Sequence, residues 1–141
     1  MIFKNIYRNL VGRVKIFLLA SVFMTGGAVL IVEIAATRIL APYYGNTIYT
    51  TSSVIGIVLA ALSLGYYIGG FLSDKYPSLK LFYTIIFISG LLIILINLLS
   101  QFLLPSLSLL FSIPFGPFIS SFLLFFIPSF SMGTLSPFAI K

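Results

Sequence analysis

The groups with the most chemistry to offer stand in one apolar run. In "IVEIAATRILAPYYGN" (31–46), Glu33 supplies a carboxylate and Arg38 a guanidinium. Asp74 is the only other acid, and the chain has no His and no Cys. Histidine acid–base catalysis, thiolate chemistry, disulfides and the usual zinc sites are therefore excluded, and no cofactor or metal is expected. A charge in apolar surroundings is costly unless it faces protein, water or headgroups. What Glu33 and Arg38 do thus depends on the elements that carry them.

Of the 141 residues, 60% are hydrophobic and 7% charged, and the mean hydropathy is +1.22. Too little polar surface remains for a water-soluble domain, so lipid is the expected solvent. The net charge of +6 does not point to nucleic acid, because the basic residues cluster at the ends of apolar runs, where lipid headgroups and insertion topology select them. The expected fold is an all-α integral membrane protein. A basic cytoplasmic N-terminus (1–15) precedes a transmembrane domain (16–141) of four helices, at about 16–40, 47–73, 81–100 and 118–140. Pro42 is expected to end the first helix. The segment "QFLLPSLSLLFSIPFGP" (101–117), cut by three prolines, reads as an interfacial or re-entrant connection. The first apolar run is too long for a signal peptide and is expected to be retained.

Charge sets the orientation. Lys4, Arg8, Arg13 and Lys15 precede the first helix, Lys75 and Lys80 flank the 2–3 turn, and Lys141 follows the fourth helix. Placing all seven in the cytoplasm puts both termini inside and leaves Arg38 as the one basic residue near the outer face of the plasma membrane.

The second helix carries two rows of small residues at intervals of four. One is Ala61, Gly65, Gly69 and Ser73; the other is Ser52, Gly56 and Ala60, and Gly70 follows Gly69. Small-xxx-small rows let helix backbones approach closely, which makes this helix the expected centre of packing. In the fourth helix, Pro128, Gly133 and Pro137 predict a kink or break. Both a moving gate and a static bend fit that pattern.

Glu33 lies about 27 Å along the axis from Lys15, in the outer half of the membrane, with Arg38 at its boundary. Their spacing sets them about 140° apart on the helix, so they need not pair. At the same level the second helix begins, with Tyr49 among several hydroxyls, and the third helix ends, with Asn97 and Gln101. These five residues are the candidate polar site, suited to a cation drawn by Glu33. The alternative is structural: Glu33 satisfied by helix-two hydroxyls and Arg38, holding the register.

Residues 27–78 resemble the start of the membrane region of spermidine synthase-like proteins. The likeness rests on Glu33, Thr37–Arg38, "LAPYYGN", Tyr49, "LSLGYYIGG" and Asp74–Lys75, and "MGTLSPFAIK" (132–141) is similar to a later signature of that family. The resemblance implies a major facilitator-like helical region that precedes an aminopropyltransferase-like domain. "GGFLSDKYPS" also resembles the major facilitator loop between helices two and three, where the acid helps to set a conformational balance; a solvated helix-end Asp74–Lys75 step is the simpler alternative. Many relatives carry a tryptophan near Thr51, and this chain has none. It also has no glycine-rich donor loop and no acid pair for a polyamine, so synthase activity does not transfer and no enzyme is expected. Either the chain is a fragment or the family's membrane half is encoded separately. Two functions follow. One is a non-catalytic membrane module that anchors or partners further helices or another chain. The other is a small transporter-like unit that binds a cation or polyamine around Glu33.

Overall fold

The computed structural model describes residues 2–76 and 78–140, with side chains over 16–76 and 78–138. Every described element is helical: α1 (Ile2–Tyr44), α2 (Ile48–Lys75), α3 (Leu79–Leu110), α4 (Phe115–Gly133) and α5 (Leu135–Ile140). Four stretches are long and apolar enough to cross a membrane, Ile16–Tyr44, Ile48–Lys75, Leu79–Leu110 and Phe115–Phe138. This is an all-α membrane architecture. The side chains of Lys4, Arg8, Arg13, Lys15 and Lys141 lie outside the described residues.

Tertiary contact overrides local propensity at two prolines. α1 runs past the expected stop and takes in Pro42. Proline removes one helical donor, that to the Arg38 carbonyl, and Arg38 is exposed at the helix rim. The extra turn places Tyr44, 4% exposed, in the core. Gly45, at φ +77°, then ends the helix by donating its amide to Ala41 O.

The second override corrects the reading of 101–117. The third helix does not stop near Ser100 to leave an interfacial or re-entrant segment; α3 continues through Pro105 to Leu110. Leu104 and Leu107, on either side of Pro105, are buried at 0% and 8% exposure and hold that turn against the bundle. The connection shrinks to residues 111–114, with a cis Ile113–Pro114 bond.

In the fourth span the break falls at Thr134, between α4 and α5, while Pro128 stays within α4. Pro137 explains the position, since a new helix starting at Leu135 puts the missing amide in a first turn, where no donor is needed. Thr134 seals the junction by donating its hydroxyl to Ser131 O at 2.7 Å.

α4 sits at the centre, packed against α2, α3 and α1. One apolar cluster joins Val32, Ala36 and Leu40 of α1, Val54 and Val58 of α2, Ile96 and Leu104 of α3, and Leu124 and Phe125 of α4. A second, at the other end, gathers Phe82, Leu135 and Phe138.

Candidate functional site

The outer polar residues are not drawn together. The buried stripe of α1 is Val29, Val32, Ala36, Leu40 and Tyr44. At about 100° per residue Arg38 falls on the opposite side of the helix, and it is exposed. Glu33 lies at the edge of the stripe and is half-buried. Tyr49 is 53% exposed, and Asn97 and Gln101 are exposed on α3. Among the described residues no side-chain hydrogen bond or ion pair joins any two of the five, and Asn97 offers only its backbone carbonyl, to the Ser100 hydroxyl. The helix-two hydroxyls that were expected to satisfy Glu33 are spent locally. Thr50 donates to Gly45 O at 3.0 Å, Thr51 to Thr47 O at 3.3 Å, and Ser52 to Ile48 O. Tyr49 instead lines an open cleft of about 340 Å³, with Ser52 and Ser53 on its own helix and Pro114, Phe115 and Phe118 across from it.

The packing residues of α2 separate into two faces. On the inner face, Ala61, Gly65, Gly69 and Ser73 are all buried. A Cβ on Gly65 would stand 2.5 Å from Phe130 O and 2.9 Å from Gly133 Cα, and one on Gly69 would stand 2.6 Å from Thr134 Cα. Here two backbones touch, and any side chain would push them apart. Gly133 is part of the same contact, facing Leu62 and Gly65, so its sequence reading as a kink residue understates its role. On the outer face Gly56 and Ala60 are exposed, and among the described residues nothing lies within 4 Å of a Cβ on Gly56 or Gly70. The same kind of residue that closes the inner seam is open on the outer one.

A junction between α1 and α4 escaped the sequence reading. The Tyr44 hydroxyl and Ser120 Oγ are 2.8 Å apart in a buried hydrogen bond, and the Tyr44 ring covers Gly116 so closely that a Cβ there would overlap it. The signal was present as two interleaved rows at intervals of four, Gly116–Ser120–Leu124–Pro128–Met132 and Pro117–Ser121–Phe125–Ser129–Gly133, all buried. Among the described residues two hydroxyls in the second row, those of Ser121 and Ser129, have no hydrogen-bond partner. At the cytoplasmic end expected from charge, Asp74 and Lys75 are exposed, with Lys75 Nζ 5.5 Å from the Tyr76 ring centre.

Comparison with family models, curated proteins and solved structures returns no match. The geometry carries the functional argument by itself.

Proposed function

We propose that this chain is a non-catalytic membrane module whose outer α2 face packs against further transmembrane helices, as the resemblance to the membrane region of spermidine synthase-like proteins would require. The observation that carries this reading is the open space over Gly56 and Gly70. These two share a register with Ser53, Ala60 and Ser63, and with Tyr49 and Tyr67. The spacing is an unbroken alternation of four and three residues, the period of left-handed helix pairs. Lipid chains gain nothing from a seam of glycine and serine, whereas a neighbouring helix gains close backbone contact. The outward placement of Arg38, Asn97 and Gln101 fits the same reading better than an enclosed transport site. The module sits in the cell membrane with both termini in the cytoplasm, as the lysine and arginine distribution requires.

The absence of cysteine makes the test direct. Single cysteines at Gly56 and Gly70 are expected to cross-link to a neighbouring transmembrane helix in native membranes. A cysteine at Phe23, 83% exposed on α1, serves as the lipid-facing control. Equal, background-level cross-linking at all three positions would remove the proposal. Glu33→Gln is expected to leave assembly intact. Loss of cation-dependent uptake in an otherwise assembled Glu33→Gln protein would replace the module by the small transporter reading.

A further inference from the structure

α3 runs from Leu79 to Leu110, so Asn97 stands close to the middle of its span, about 4 Å past it, and Gln101 about 10 Å past it. The neighbouring helix gives the same level. Leu95, Ile96 and Leu99 line a groove with Leu123, Leu124 and Ile127, at the middle of the fourth span, Phe115–Phe138. Both amides thus fall within a hydrocarbon layer about 30 Å thick. Both residues are exposed, and among the described residues neither side chain has a hydrogen-bond partner. Each amide carries two N–H donors and a carbonyl acceptor, and lipid chains satisfy none of these.

The two amides belong to an ordered face. Phe87, Gly90, Ile94, Asn97 and Gln101 follow one another at intervals of three and four and share a sector about 80° wide. All five are exposed, and among the described residues nothing lies within 4 Å of a Cβ on Gly90. The buried side of α3, marked by Phe82, Ser89, Ile96 and Leu107, lies about 110° round the helix.

We propose that this face pairs with the same face of a second copy of the chain, about a two-fold axis along the membrane normal, with the Asn97 amides of the two copies hydrogen-bonded to each other. Copies inserted in the same sense bring α3 to α3 in parallel, so each residue meets its counterpart at its own depth. An unrelated helix would need a polar side chain at that one level, whereas a second copy always supplies it. The amide is self-complementary, since the donor of one matches the acceptor of the other. Residues 81–110 contain no charged side chain, so pairing brings no like charges together. Gly90, two turns from Asn97, lets the two backbones approach. This interface lies on a different helix from the outer α2 face and does not depend on what occupies that face.

The chain has no cysteine, so single cysteines report the contact. In native membranes under mild oxidation, Ile94→Cys is expected to give a disulfide-linked product of twice the chain's mass. Leu95→Cys, at nearly the same depth but turned about 100°, is not. In vesicles, full chains labelled at Asn46→Cys with donor or acceptor dye report association by energy transfer. Asn97→Leu/Gln101→Leu removes no hydrogen bond from within the chain and should move half-association to an about tenfold higher protein-to-lipid ratio. Asn97→Gln, which keeps an amide, and Gly56→Ile, on the α2 face, should each leave it within about twofold. Energy transfer absent at every protein-to-lipid ratio would overturn the proposal, as would a half-point indifferent to loss of both amides. Ile94→Cys linked to a protein of another size would give the face to a different partner and overturn it too.

Discussion

The hydrogen bond between Tyr44 and Ser120 shows what one side chain can hold in this bundle. Tyr44→Phe leaves Ser120 buried without a partner and is expected to destabilise by about 0.6 kcal/mol and at most ~1.7 kcal/mol, the range for hydrogen bonds between membrane helices. Unfolding in mixed micelles measures it, and adding Ser120→Ala should recover most of the loss, since no orphaned hydroxyl then remains. Ser121 and Ser129 behave in the opposite sense. Each is already unpaired and buried, so Ser121→Ala and Ser129→Ala are expected to be neutral or to stabilise by up to about 1 kcal/mol in the same assay. Glu33 belongs to this scale too. Half-buried on the rim of the α1 stripe, it borders the bundle without being gripped by it.

At the scale of elements, α2 is a helix with two small-residue faces and one occupied. Gly65→Ala forces a methyl group against the Phe130 carbonyl and Gly133 and is expected to cost about 1–3 kcal/mol, as overpacking does. Gly56→Ala meets open space and should leave the stability of the isolated chain within about 0.5 kcal/mol. A larger residue, Gly56→Ile, should spare the fold but abolish the cross-links expected at the outer face. The contrast between the two glycines separates folding from assembly. α3 offers a different case. Its turn around Pro105 is held by Leu104 and Leu107 in the core, so Pro105→Ala, which restores a helix donor, is expected to stabilise the helix rather than to redirect the chain.

For the whole molecule, orientation is the property most open to measurement. The proposed orientation, with both termini inside, puts the turn after α1 and the turn before α4 outside. A membrane-impermeant maleimide should therefore label Asn46→Cys and Ser112→Cys in intact cells, and Ser78→Cys only after permeabilisation. Labelling of Ser78→Cys in intact cells would invert the arrangement.

Hydropathy and the spacing of small residues were enough for the all-helical character, the four spans long and apolar enough to cross a membrane and the close-packed role of Ala61, Gly65 and Gly69, because a bilayer imposes length and apolarity on any span and small residues where helices touch. The fate of each proline was decided elsewhere. Pro42 and Pro105 stay within helices because Tyr44, Leu104 and Leu107 have core sites to fill, and Pro137 starts a new helix because Thr134 can turn. The polar residues at the outer level shared a depth that could be counted along the chain, but depth fixes only one coordinate. Whether Arg38, Asn97 and Gln101 point inward depends on how each helix is rotated against its neighbours, and that rotation is set by where backbones can approach closely, the Gly65–Gly69 seam of α2 against Gly133 and Thr134 and the small-residue rows of α4, which leaves these residues outward.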